Sequence, residues 1–139
     1  MGFQLESMGD GDPMDICVLT EKLVAQGGFL LRARPIGGIR MIDGQQADDK
    51  IIAVLDCDVA YGHIKEIESC PKGLIDRLRH YFLSYKQLPG EAPRRVQIPG
   101  VYGRNEALDV ITRSIRDYRT TYGDPKERVA QLKRLVARE

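Results

Sequence analysis

The apolar period of the chain switches once, near its middle, and that switch restricts the fold more than any other feature. Upstream, Ile16 to Leu19, Phe29 to Arg34, Ile36 to Ile42 and Lys50 to Leu55 are short β-favouring runs. Glycine turns at Gln26-Gly27-Gly28 and Asp43-Gly44 separate them. In "FLLRARPIGGIRM", Arg32 and Arg34 alternate with Leu31 and Ala33, the period of a strand with one wet face, and Pro35 predicts an edge or a bulge. This half reads as antiparallel sheet. Beyond Pro71 the period becomes helical: Leu74, Leu78 and Phe82 recur every fourth position beside Ile75 and Tyr85, in a helix expected to end near Leu88-Pro89-Gly90. A short strand is expected from Arg95 to Ile98, then a helix from Asn105 to Tyr118 whose core stripe is Leu108, Ile111 and Ile115. In "GDPKERVAQLKRLVARE", Asp124 stands as N-cap, Pro125 at the first helical position and Glu127 as the capping-box partner, so a third, peripheral helix follows.

At 139 residues the chain is sized for one domain with a core of its own. With 21 basic residues against 20 acidic it carries no global field to hold nucleic acid or an anionic membrane, so any charged partner must be met by local charge. Basic residues interleaved with aromatics, the pattern of a single-strand binder, are lacking too. No apolar run approaches the roughly 18 residues that cross a bilayer. The first residues lack the basic and apolar regions of a secretory signal, and Cys17, Cys57 and Cys70 form no C-x-x-C pair. Free thiols and no export signal predict a cytoplasmic protein.

Local charge is concentrated in "DGDPMD", which sets Asp10, Asp12 and Asp15 in six positions just before a predicted strand. A solvated acidic turn is one reading, because Asp and Gly are turn residues. A calcium loop of the EF-hand type fails on spacing, since Met14 stands where a third oxygen ligand is required. A hard-metal site fits: carboxylates crowded together repel one another unless divalent cations neutralise them. "DGQQADDK" adds Asp43, Asp48, Asp49 and Lys50 in a turn between two predicted strands, and "SYKQL" adds Tyr85 and Lys86 at a helix end. Carboxylates that gather Mg²⁺ beside lysine and tyrosine donors are equipment for phosphoryl transfer to water.

These residues resemble a family I inorganic pyrophosphatase, the soluble Mg²⁺ enzyme that splits pyrophosphate into two phosphates. "DGDPMD" agrees with the family's aspartate signature, and "RARPIGGIRMID", "DDKIIAV", "HIKEI" and "HYFLSYKQL" follow in the family's order. The resemblance covers residues 9 to 120 and implies a pyrophosphatase-like domain over 1–122, with 123–139 as an additional C-terminal helix. It implies Asp10, Asp15, Asp43 and Asp48 as metal ligands, Asp15 lying between two metals. Asp12 is implied as the residue beside the nucleophilic water, and Lys50, Tyr85 and Lys86 as holders of phosphate oxygens. The implied cofactor is Mg²⁺, with Mn²⁺ as a substitute, and the implied partners are pyrophosphate and further copies of the chain, hexamers being usual in bacterial members. The implied fold is α+β: an OB-like Greek-key antiparallel β-barrel with two or three helices packed on it. A complete member carries further strands upstream of the signature, with a Glu, a Lys and an Arg that reach the active site. This sequence lacks them, so an incomplete barrel is expected, and a catalytically weak metal- or phosphate-binding fragment is the alternative function. Asp49 reads as a turn carboxylate, His63 and His80 as surface or packing residues, and Arg32 and Arg34 as strand-face residues rather than substrate clamps.

Overall fold

The computed structural model describes residues 12–22, 27–28, 30–85 and 96–136. Its central element is the strand Lys50–Leu55, in which every residue from Lys50 to Val54 is buried. A run as apolar as Ile51-Ile52-Ala53-Val54 has no wet face to offer, so it needs cover on both sides. Ile52 and Val54 enter the larger core with Leu19, Ile36, Ile39, Met41, Ile64, Ile67 and Phe82. Ile51 faces the other way, onto Tyr102 and Ala107.

In chain order the strands are β1 (Asp15–Leu19), β2 (Ala33–Asp43), β3 (Gln46–Ala47), β4 (Lys50–Leu55) and β5 (Val96–Gly103). The helices are α1 (Lys72–Ser84), α2 (Arg104–Tyr122) and α3 (Pro125–Val136), with a 3-10 turn at Ile67–Ser69 before α1. The expected α+β class holds. Among the described residues the strands form an open sheet in the order β1-β4-β2-β3, with β5 on β2, and the sheet does not close into a barrel. One pairing corrects the antiparallel expectation: β1 and β4 are parallel, Asp15 opposite Lys50 and Leu19 opposite Val54. The reason is geometric. β4 inserts between β1 and β2 and is antiparallel to β2, while β1 runs opposite to β2, so β4 must run with β1.

Of the run expected from Phe29 to Arg34 only Ala33 and Arg34 are strand, and they join the run beyond Pro35 in the single strand β2, with the break surviving as a bulge; Leu30 to Arg32 precede the strand. Pro35 lies opposite Ala53 and Gly37 opposite Ile52, so Ile36 is the extra residue, and this lets both Ile36 and Ile39 reach the core. Gly37 and Gly38 then allow β5 to press close. A Cβ on Gly37 would meet the Tyr102 carbonyl oxygen at 2.6 Å and the Ile67 Cβ at 2.7 Å, and one on Gly38 would run into the Tyr102 ring. The Asp43-Gly44 turn is formed as expected, with Gly44 in the left-handed region at φ +67°.

α1 buries Phe82 and packs Leu74, Ile75 and Leu78 beside it, the face its period predicts. Its expected continuation toward Leu88 lies outside the described residues. α2 begins at Arg104 and extends to Tyr122, but its buried face is turned relative to the expected stripe. Ala107 and Ser114 are buried, with Val110 and Ile111 against the smaller core, whereas Leu108 and Ile115 are largely exposed. Small Ala107 wins the closest position because Tyr102 already fills the space between helix and sheet. The Asp124 carboxylate accepts the Lys126 N–H at 2.8 Å, the expected N-cap of α3, and Arg128 donates from α3 to the Tyr118 hydroxyl at 3.3 Å.

Arg34 and Asp58 pin the segment that follows β4. The Arg34 guanidinium donates to the Asp56 carboxylate at 2.7 Å and to the carbonyls of Gly62 at 2.6 Å and Ile64 at 3.2 Å. The Asp58 carboxylate accepts the N–H groups of Glu21, Tyr61 and Ala60 and the Thr20 hydroxyl, which together hold it below the usual carboxylate range. Arg34 is thus a loop clamp, in keeping with its reading as something other than a substrate contact. Because the neighbours of Gly37 are backbone and a rigid β-branched side chain, Gly37→Ala is expected to cost roughly 1–3 kcal/mol. Urea unfolding followed by far-UV circular dichroism checks it; an unchanged midpoint would mean β5 can shift freely.

Candidate active site

Lys50 opens β4 on the face of Ile52 and Val54, because side chains alternate along a strand. Its side chain is 1% exposed. A charged ammonium so placed must find oxygen partners. It finds two, Asp15 Oδ2 at 2.6 Å and Asp48 Oδ1 at 2.5 Å. The parallel pairing delivers the first, since Asp15 lies directly opposite Lys50 on β1. The turn before β4 delivers the second. There the Asp48 N–H donates to the Met41 carbonyl at 2.9 Å, and the Met41 N–H donates to Asp49 Oδ1 at 3.1 Å. The Tyr102 hydroxyl donates to Asp49 Oδ2 at 3.1 Å, so Asp49 ties the turn to both β2 and β5.

The charges act on one another. Burial alone pulls the Lys50 ammonium down, but hydrogen bonds to Asp15 and Asp48, with their negative charge, outweigh it and hold the group above its ordinary value. Cys17, next on the same face of β1, has its thiol pushed up to about 11, by burial first and then by the Asp15 carboxylate, against a smaller pull from Lys50. Burial, followed by the Asp49 carboxylate, likewise drives the Tyr102 hydroxyl upward. Asp48 is buried while Asp15 has 65% of its side chain exposed, so the cluster has a dry end and a wet end.

Phe82 of α1 lies under the cluster, its ring centroid 5.8 Å from Lys50 Nζ. Tyr85, at the C-terminus of α1, sets its ring edge-on to Phe82 at 5.8 Å. The structure therefore brings together Asp15, Asp48 and Lys50, with Tyr85 joined through Phe82. Asp43 stands at the end of β2, opposite Gln46 of β3 and Val96 of β5, and Asp12 is exposed ahead of β1. Asp10 and Lys86 lie outside the described residues. His63 and His80 are exposed. Sequence reasoning missed Phe82 as the floor of the cluster and Tyr102 as the anchor of Asp49. The available signal was the aromatic interleaving of "HYFLSY" and the single tyrosine of the β5 segment.

Comparison with known proteins interprets the arrangement. Residues 4–119 match the family model described as inorganic pyrophosphatase. This chain belongs to that family. Among curated pyrophosphatases, that of Chlamydia trachomatis serovar L2 is 54% identical over 114 residues, covering 79% of this chain and 54% of the relative. That of Aquifex pyrophilus is 35% identical over 112 residues, covering 79% of this chain and 62% of the relative. The chain spans about half the length of the chlamydial relatives it matches. Among solved structures, the Thermus thermophilus pyrophosphatase superposes with a TM-score of 0.73 at 30% identity, over 85% of this chain and 66% of that one. The Neisseria gonorrhoeae enzyme gives 0.70 at 33% identity, over 83% and 64%. Among the described residues no helix is long and apolar enough to cross a membrane.

Pyrophosphatases of family I depend on divalent metal, and the Asp15–Asp48 pair fits such an ion in donor chemistry. Both atoms are carboxylate oxygens, the donors preferred by Mg²⁺ and Mn²⁺, and both converge on one cationic centre, the Lys50 nitrogen. Among the described residues no three acidic, histidine or cysteine side chains form a group able to hold an ion by themselves.

Lys50 also makes a prediction about pH. Its folded value is raised above the ordinary 10.5, so its stabilising contribution is complete below 10.5 and is lost as pH climbs through the raised value. In metal-free protein Lys50→Gln is expected to cost about 3 kcal/mol at neutral pH, because it removes a cationic partner of a buried carboxylate. The deficit relative to wild type should hold from neutral pH to 10.5 and shrink beyond it. Urea titrations of both proteins across that range are the check, and a deficit already gone at pH 9 would contradict the raised value.

Proposed function

We propose that this chain carries the catalytic residues of an inorganic pyrophosphatase, hydrolysing pyrophosphate to two phosphates in the cytoplasm as part of a homo-oligomer. The observation that carries the reading is the pair of strand-anchored carboxylates, Asp15 and Asp48, converging on one buried cation. In this reading the catalytic unit is residues 1–122, with 123–139 added to it. Asp10, Asp15, Asp43 and Asp48 hold Mg²⁺, or Mn²⁺ in its place. When bound, such ions neutralise phosphate charge and lower the pKa of water. Asp12, exposed ahead of β1, takes the proton of the attacking water. Lys50, Tyr85 and Lys86 donate to phosphate oxygens and stabilise the charge that gathers on the leaving phosphate.

Asp15 and Asp49 have separate tasks. Asp15 shares a cation with Asp48, whereas Asp49 is spent on Met41 and Tyr102. Asp15→Asn is therefore expected to lower phosphate release on the order of a hundredfold, the scale for losing one transition-state contact. Asp49→Asn, whose amide oxygen can still accept from the Met41 N–H, is expected to lose less than about tenfold. A colorimetric phosphate assay with Mg²⁺ and pyrophosphate measures both. Equal losses would undo the assignment, and metal and phosphate binding without phosphate release would make the chain a binding protein on this scaffold.

A further inference from the structure

We infer that Lys50 is a displaceable counter-cation: its ammonium holds Asp15 and Asp48 together before metal arrives, and an incoming divalent cation takes its place. The inference rests on the metal-binding reading of those two carboxylates and goes beyond it, because that reading gives Lys50 only a contact to phosphate.

The argument begins with occupancy. Lys50 Nζ is 2.6 Å from Asp15 Oδ2 and 2.5 Å from Asp48 Oδ1, so the ammonium is the counter-charge of both carboxylates. A Mg²⁺ ion binds oxygen at about 2.0–2.1 Å and would draw on the same two carboxylates. Each carboxylate keeps a second oxygen, so ammonium and metal compete for the negative charge of the pair rather than for its last lone pair. Electrostatics agree, since two positive charges a few Ångström apart in a buried setting repel strongly. One must yield.

The neighbourhood gives Lys50 somewhere to go. Phe82 lies below the ammonium, its centroid 5.8 Å away, and the ring face tolerates a cation while making no hydrogen bond that must be broken. Tyr85 adjoins Phe82 at the C-terminus of α1 and is 40% exposed, so this aromatic pair runs from the buried cluster to the surface. A lysine stem has four rotatable bonds with which to make that movement. The displaced ammonium is then available to an anion, which orders events: the metal first, the phosphate contact after it. Lys50 is in this respect a positioning residue as well as a binding one.

A lysine that merely braces the carboxylates, before and after metal binding, predicts the opposite response to mutation. If Lys50 competes with metal, Lys50→Gln removes the competitor, and Mn²⁺ should bind the variant more tightly, on the order of tenfold. If Lys50 only braces, the variant should bind Mn²⁺ more weakly. Isothermal calorimetry with MnCl₂ on the full 139-residue chain, wild type and Lys50→Gln, reads the difference. Because Lys50→Gln lowers stability, a second measurement uses wild type alone: acetylation by acetic anhydride with and without Mg²⁺, quantified by mass spectrometry against Lys72, which is 92% exposed. Displacement predicts that Mg²⁺ raises the Lys50 rate several-fold relative to Lys72. An unchanged or slower Lys50 rate, or Mn²⁺ affinity equal or reduced in the variant, overturns this inference and leaves the metal-binding reading standing. Absence of Mn²⁺ binding by wild type and variant together overturns both.

Discussion

A buried ammonium must be given oxygens, and the core of this protein is arranged around that requirement. Lys50 is as inaccessible as the isoleucines that follow it in β4, yet unlike them it loses hydration on entering the core. Two carboxylates make the burial tolerable, and they come from opposite sides: Asp15 from the neighbouring strand, Asp48 from the turn just before. Neither can drift without leaving a charge in an apolar setting. The register of β1 on β4 and the shape of the Asp48-Asp49 turn are therefore coupled through one nitrogen atom.

The rest of the sheet serves that coupling at one remove. Asp49 links the turn to Met41 on β2 and to Tyr102 on β5, and Tyr102 can lie close to β2 only because Gly37 and Gly38 lack side chains. Arg40 reinforces the same corner, its guanidinium 5.5 Å over the Tyr102 ring and paired with Glu106 at the start of α2. Contacts from three strands and a helix thus converge on a turn of two aspartates, and its rigidity means that little ordering remains to be done when a ligand arrives.

Much of this was legible in the residues. Periodicity located β1, β4 and α1 closely, Pro35 marked the bulge, and Asp124-Pro125 marked the start of α3, because each depends on local chemistry that a short window contains. The parallel direction of β1 against β4 was not legible, since it follows from which strand inserts between which others. The face of α2 was misjudged for a related reason: Leu108 and Ile115 are larger and more apolar than Ala107, but it is Ala107, with Val110 and Ile111, that meets Tyr102 and Ile51. In the site, residue types and order pointed to Asp15, Asp48 and Lys50, while the direct contact of Lys50 with both carboxylates required strand register. That contact concerns a distance of atoms rather than a pattern of letters.

The charge of the cluster explains why metal is integral to the proposed chemistry. Two carboxylates and one ammonium leave a net negative charge. Pyrophosphate is itself a polyanion, and the whole chain, at formal net charge +1, supplies no long-range field to draw it in. In the proposed reading the cluster alone opposes the approach of such an anion. A divalent cation offsets the two carboxylates where Asp15 and Asp48 meet, and in the proposed displacement the Lys50 ammonium, no longer held by them, turns its charge toward the incoming anion. One binding event then both neutralises the carboxylates and frees the ammonium, which in this reading favours metal before pyrophosphate on electrostatic grounds.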